Sequence, residues 1–288
     1  MGQGVRWCID VDIKKYFDTI DHGHLRDFLN RRVTDGVIRR MIDKWLKAGV
    51  LEEGRLHRPT EGSPQGGVVS PCLSNVYLHY VLDEWFERDV RPRLKGRAIL
   101  VRYADDLVMA FENFLDAKRV LAVLGKRLAR FTLHPDKTRF IDFRFKRPKG
   151  TSHPAADGTT FDFLGFTHVW GKSKKGINVV RQVTAKGRFA RALGSITDWC
   201  RHNRHRSLTD QHAHLSEMMR GHYAYYGETG NGRRWYANQV GRIWKKWLSR
   251  RDRQGAFTWN RFNEFLKRHP LPPARIVHRY AAVSEALS

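Results

Sequence analysis

Three aspartates carry the strongest chemical signal in this 288-residue chain. Asp12 stands near the end of the apolar run Cys8-Ile9-Asp10-Val11-Asp12-Ile13, and Asp105 and Asp106 are adjacent between two short apolar runs. A strand-end carboxylate and a hairpin-tip pair on one sheet suit two divalent cations. Mg²⁺ takes oxygen ligands, binding through a few carboxylates and substrate phosphates. Two such ions about 4 Å apart activate an attacking hydroxyl and stabilise the leaving oxygen in phosphoryl transfer. Taken alone, Asp-Asp is also ordinary turn chemistry. Other residues extend the constellation. Gly62-Ser63-Pro64-Gln65-Gly66-Gly67 leads into a helix, and its glycines allow a ligand close to the backbone. Gln65 either hydrogen-bonds a sugar or base edge or belongs to an ordinary loop-to-helix transition, and taken alone the segment reads as the second. Phe17, five residues after Asp12, either walls a nucleotide sugar or packs in the core. Lys137 is either a phosphate or proton partner or a solvated lysine.

These residues need a scaffold, and the periodicities supply one. Residues 5–13 read as a strand, and 98–103 and 107–111 as the two arms of a hairpin. Strands are also expected at 140–145 and 159–166. Helices are expected at 25–33, 37–46, from Val69 to about Asp89, and at 115–131. Residues 51–60 read as a hairpin or loop. Beyond Lys186 the period is helical, with Phe189, Leu193, Ile196 and Cys200 on one face and Leu215, Met218, Met219 and Tyr223 on another. The expected class is α+β, an antiparallel sheet packed on helices followed by an α-helical domain.

Charge divides the chain further. The net charge is +24. Residues 1–170 hold 29 basic and 22 acidic side chains, net +7, whereas 171–288 hold 24 and 7, net +17. The second part also carries Trp199, Trp235, Trp244, Trp247 and Trp259. Basic residues interleaved with aromatics suit phosphate contact and base stacking, although Trp244 and Trp247 read as helix core. The expected domains are 1–170 and 171–288, with Gly171-Lys172-Ser173-Lys174-Lys175-Gly176 as a turn at the boundary. No apolar run approaches about 18 residues, so no membrane partner is expected. Cys8, Cys72 and Cys200 form neither a disulfide framework nor a zinc motif. His202, His205, His212 and His214 have no cysteine pair beside them and read as a solvated helix surface rather than a zinc site. A cytoplasmic protein with a polyanionic partner, most simply nucleic acid, is expected.

Together these segments resemble the reverse transcriptase of bacterial group II intron-encoded proteins. Asp12-Ile13-Lys14-Lys15-Tyr16-Phe17-Asp18 resembles the first metal motif of its palm. Pro64-Gln65-Gly66-Gly67 resembles the nucleotide-binding motif, and Tyr103-Ala104-Asp105-Asp106 the signature hairpin. Residues 133–138 resemble the following lysine motif, and 161–166 the primer grip. The stretches 220–227 and 243–251 are similar to the family's thumb, the maturase or X domain. Order and spacing agree along nearly the whole chain.

The resemblance implies that Asp12, Asp105 and Asp106 are catalytic and hold two Mg²⁺ ions, with the Ile13 carbonyl as a backbone ligand. It implies that Phe17, Gln65, Gly66 and Lys137 border the incoming nucleotide, and that Phe163, Leu164 and Gly165 form the primer grip. Arg220, Lys245, Lys246, Arg250 and Arg251 would contact RNA. The implied reaction is attack of a DNA primer 3′-hydroxyl on a deoxynucleoside triphosphate, templated by RNA. Intron RNA binding and splicing assistance would accompany it. By the same resemblance, the family's N-terminal fingers ahead of Asp12 and its C-terminal endonuclease after the thumb are expected to be missing. The alternative is therefore a non-polymerising RNA-binding maturase or an inactive fragment.

Overall fold

The computed structural model describes residues 4–13, 16, 19–47, 50–52, 55–57, 69–131, 135–145, 153–173, 176–228, 231, 233–251 and 258–277. The chain divides into two compact units, Met1–Leu164 and Gly165–Ser288.

The first unit is built on a four-stranded antiparallel sheet. Its strands are β1 (Trp7–Ile13), β4 (Ala98–Tyr103), β5 (Asp106–Phe111) and β6 (Pro135–Asp142), in the order β4-β5-β1-β6. A small hairpin, β2 (Val50–Glu52) with β3 (Arg55–His57), stands apart from it. Side chains alternate across a strand, and β1 uses that alternation fully. Trp7, Ile9, Val11 and Ile13 are buried in the main core, where Leu107, Met109, Phe111 and Phe140 join them. Asp10 and Asp12 point to the opposite face.

Helices cover the core face. They are α1 (His22–Asn30), α2 (Gly36–Lys47), α3 (Ser70–Leu78) and α4 (Phe114–Ala129). Asp21 caps α1 by accepting from His24 N at 2.7 Å, and Asn113 caps α4 by accepting from Leu115 N at 2.8 Å. The helix expected from Val69 to about Asp89 is present, but it is not purely α-helical. After α3 it continues through π-helical turns at His79–Asp83 and Phe86–Val90, then a 3₁₀ turn at Arg91–Arg93. An α-helix advances a residue at i+4 by more than a full turn, and the wider π turn brings it back. Leu78, Leu82, Phe86 and Val90 therefore stay in one buried line at a spacing of four.

Two expected strands shift. β6 begins at Pro135 rather than Phe140, because it pairs along the length of β1, from Trp7↔Asp142 to Asp12↔Lys137. The strand expected over 159–166 ends as β7 (Phe161–Phe163), and β8 (Phe166–Lys172) follows. Leu164 and Gly165 interrupt it with φ of +50° and +77°.

In the second unit, β8 pairs antiparallel with β9 (Asn178–Thr184). The Gly/Lys/Ser stretch closes this hairpin, with Gly176 at φ +74°. The expected boundary at 170/171 thus lies inside β8. Among the described residues four helices follow: α5 (Lys186–His202), α6 (Leu208–Tyr226), α7 (Arg233–Leu248) and α8 (Trp259–Arg268). Ile196, Cys200, Leu215, Met219, Tyr223, Val240 and Phe262 form their core with fully buried Trp244. Trp244 donates from Nε1 to Gln211 Oε1 at 2.8 Å, and Gln211 Nε2 donates to the Arg204 and Arg206 carbonyls. Trp247 packs against the same cluster. No helix among the described residues is long and apolar enough to cross a membrane.

The start of β4 is anchored by one buried carboxylate. Asp116 on α4 accepts from Lys95 N at 2.8 Å and Gly96 N at 2.9 Å. Asp116→Ala would leave two backbone donors without their acceptor, and a loss of about 2–3 kcal/mol in urea denaturation is expected. Asp116→Asn keeps an acceptor oxygen and is expected to lose less than half as much.

Candidate active site

The aspartates sit where the sheet's second face opens. Near the start of β1 that face is closed, and Cys8, Val108, Ala110, Ile141 and Phe143 are all buried. At the other end of β1, Asp12 is exposed. Pairing of β1 with β6 shifts register between Asp12 and Ile13, and bulges of this kind re-aim side chains. Val11 pairs with Leu107, so the same register continued by one residue sets Asp12 opposite Asp106, on one face.

The hairpin tip is held from beneath. Tyr103 pairs with Asp106, which leaves Ala104-Asp105 as a two-residue turn. Ala104 adopts φ +53°, as the first turn residue must in a primed turn that matches the strand twist. Arg102 secures this strained backbone. Its Nη1 donates to the Ala104 carbonyl at 3.0 Å and to Asn75 Oδ1 at 2.9 Å. Its Nε and Nη2 grip Asp83 at 2.9 and 2.7 Å. The hairpin tip is thereby tied to α3 and the π turn after it. Tyr16, buried just past Asp12, donates to the Ser74 carbonyl of α3. Burial pushes its phenol well above the ordinary range, and the Asp105 charge adds to that shift.

The electrostatics identify a larger acidic group. Asp10 is pushed up to about 6 by burial; Arg139 opposes the shift, and the charges of Asp106, Asp162 and Asp12 add to it. Arg139 faces Asp10 across the strands, with Nη1 at 3.8 Å from Oδ2. Asp106 Oδ2 accepts from Leu164 N at 3.0 Å. The structure therefore gathers Asp10, Asp12, Asp106 and Asp162 into one electrostatic neighbourhood, while Asp105 sits on the turn in reach of Tyr16. Among the described residues, no three His, Cys, Asp or Glu side chains converge closely enough to enclose a metal ion. The donor set nevertheless fits Mg²⁺, because it is made of hard oxygens whose mutual repulsion a cation would relieve. Asp10 and Asp162 were not expected from sequence. Asp10 had a signal, since it lies two residues before Asp12 and so shares its side of the strand.

Of the remaining expected residues, Phe17, Gln65 and Gly66 lie outside the described residues. Lys137 is opposite Asp12 by backbone register, and its side chain lies outside them too. Phe163 ends β7, and Leu164 and Gly165 form the left-handed turn after it. A Cβ at Gly165 would meet the Tyr226 hydroxyl at 2.9 Å. In the second unit Lys245 lies over the Trp259 ring at 5.0 Å, and Arg250 and Lys246 over Trp247 at 5.0 and 5.9 Å. Arg220 and Arg251 are on α6 and just past α7.

Residues 2–168 match the family described as reverse transcriptase (RNA-dependent DNA polymerase). Over 76 residues the sequence is 46% identical to the group II intron-encoded protein LtrA of Lactococcus lactis subsp. cremoris, which is 26% of this chain and 13% of that protein. Over 181 residues it is 29% identical to the COX1/OXI3 intron 1 protein of Saccharomyces cerevisiae, 61% of this chain and 20% of that one. The fold is similar to that of apo telomerase from Candida tropicalis, with a TM-score of 0.51 and 15% identity over 92% of this chain and 45% of that chain. The chain thus spans less than half the length of each of these proteins.

The raised Asp10 carboxyl makes stability depend on pH. Its folded value, about 6, exceeds the ordinary 3.8, so the folded state holds this proton more tightly than the unfolded state. Its contribution favours folding below about 4 and is lost as pH rises through 6. In metal-free buffer, Asp10→Asn is expected to flatten the change in urea midpoint between pH 4 and 7. It should also raise stability at pH 8, by on the order of 2 kcal/mol.

Proposed function

This chain belongs to the reverse transcriptase family, with sequence likenesses among group II intron-encoded proteins, and on that premise we propose that it is an RNA-directed DNA polymerase and intron-RNA-binding protein. The first unit, Met1–Leu164, acts as the palm and the second, Gly165–Ser288, as the thumb or maturase domain. The observation that carries the polymerase reading is the acidic group at the open end of β1, within a chain of net charge +24. Crowding like charges together is costly, and phosphoryl transfer is a chemistry that uses them.

Asp12, Asp105 and Asp106, with the Ile13 carbonyl, would hold two Mg²⁺ ions. When bound, these ions supply the Lewis acidity that makes a primer hydroxyl nucleophilic and offsets charge on the triphosphate. The chain's own residues supply position. Arg102 fixes the turn that carries Asp105. The Leu164 N–H orients Asp106 and couples it to the primer grip at Phe163, Leu164 and Gly165. Phe17, Gln65 and Gly66 border the incoming deoxynucleotide, and Lys137 adds a cation beside Asp12. Arg220, Lys245, Lys246, Arg250 and Arg251 hold template–primer and intron RNA, largely through backbone and shape. A cytoplasmic place among RNA is consistent with this role.

The second reading, a maturase that binds RNA without polymerising, is favoured by one observation: the carboxylates are not gathered into a coordination sphere among the described residues. Primer extension separates the two. The polymerase reading expects Mg²⁺-dependent extension of a DNA primer on RNA. Asp12→Asn and Asp105→Asn should each lower it by about a thousandfold or more, with RNA affinity changed by less than about twofold. No extension by the wild-type chain, with RNA binding and intron splicing intact in Asp105→Asn, selects the maturase reading. Equal loss of extension and RNA affinity in the variants overturns the site assignment.

A further inference from the structure

The second unit contains a cavity of about 630 Å³ that no step above uses. It lies between α6 and the extended segment that follows α8. One wall is a single stripe of α6, where His212, Ser216 and Arg220 recur every four residues. The other wall is Pro272, Pro273 and Arg275.

The segment is built to span the helix. Leu271 and Ala274 pack onto the unit's hydrophobic core. The Val277 N–H donates to the Gly227 carbonyl at 2.8 Å. His212 Nε2 lies 3.1 Å from the Pro270 carbonyl at the other end. Gly227 suits both the end of α6 and the strap, because a Cβ there would collide with the Tyr223 carbonyl and fall 3.1 Å from both the Arg275 carbonyl and Val277 Cγ2. The cavity is therefore the space under a strap tied at both ends.

Its chemistry is cationic and flat-walled. Among the described residues, no carboxylate lines it, and neither the Arg220 nor the Arg275 guanidinium has a hydrogen-bond or ion-pair partner. Two arginines lining one space suit a phosphate. The proline walls suit the face of a base, and Ser216 and His212 offer polar atoms to a ribose. The volume falls in the range of small-molecule sites and exceeds what a lone phosphate requires. RNA is read chiefly where single-stranded bases are splayed out.

We propose that this cavity takes one nucleotide of single-stranded RNA, with its phosphate between Arg220 and Arg275 and its base against Pro272 and Pro273. The assignment rests on the reading that the second unit holds RNA, and it adds a specific nucleotide site to that general one.

The test uses the full chain and a single-stranded RNA carrying 4-thiouridine. Crosslinks are expected within 212–224 or 270–277 on mass spectrometry. The Arg220→Gln/Arg275→Gln double variant should lose that crosslink and bind the RNA at least about tenfold more weakly, with an unchanged melting temperature. Adenosine monophosphate should compete with the crosslink where equal inorganic phosphate does not. Equal competition by phosphate reduces the cavity to an anion site and overturns the proposal. Wild-type affinity in the double variant, or crosslinks only elsewhere, overturns it while leaving general RNA binding intact. No RNA binding by the wild-type chain overturns the reading beneath it.

Discussion

Strand β1 must do two incompatible things within seven residues. It buries Trp7, Ile9, Val11 and Ile13 in the main core, and it presents Asp10 and Asp12 on its other face. Only strict alternation satisfies both, and a one-residue slip would bury two carboxylates and expose four large apolar side chains. The rest of the first unit enforces that register. β5 and β6 flank β1 on both sides, so neither edge is free to slide. Arg139 lies opposite Asp10 and partly offsets the charge that the core cannot tolerate. The sheet is thus arranged around a cost that folding alone gives no reason to accept.

That cost is graded along the strand. Close to Trp7 the second face is covered, and a cysteine is acceptable there. Burial, with a smaller contribution from Asp10, pushes the Cys8 thiol up to about 12 and leaves it inert. At Asp10 the covering thins, and the carboxyl titrates near 6. At Asp12 the side chain is exposed. A bound cation would find its strongest field where like charges crowd and its easiest access one step further along the strand.

Much of this was legible in the sequence because the signals are local. Alternation marks β1, two apolar runs about Asp105 and Asp106 mark the hairpin, and four-residue recurrence marks α5 to α7. What was hidden depends on long-range pairing. The first part of β6 is Pro135-Asp136-Lys137, which has no apolar period, and it becomes a strand because β1 offers an open edge. Leu164 at positive φ is disfavoured by its own side chain, so Gly165 beside it is the sole residue preference that signals the turn there. The π turns after α3 respond to the core line of Leu78, Leu82, Phe86 and Val90. Asp162 joins the acidic group only through tertiary approach. The motifs therefore located the chemistry, while the partners that tune it came from contacts made across the sheet.

In the second unit a single polar side chain shows how the helices and the hairpin are made to act together. Asn231 accepts from Thr184 N at 3.1 Å through Oδ1 and donates through Nδ2 to Thr184 Oγ1 at 2.8 Å and to the Tyr226 carbonyl at 2.9 Å. It joins the end of β9 to the end of α6. Thr184 pairs with Phe166, and Ala185 N donates to the Gly165 carbonyl at 2.9 Å. The Tyr226 hydroxyl closes on the same glycine. Helix α6 thus reaches the turn at Gly165 through its last residue and lines the cavity beneath Pro272 through the stripe that ends at Arg220. A displacement of α6 cannot change one of these without the other, so any ligand that fixes the helix from the cavity side also limits where the turn can sit.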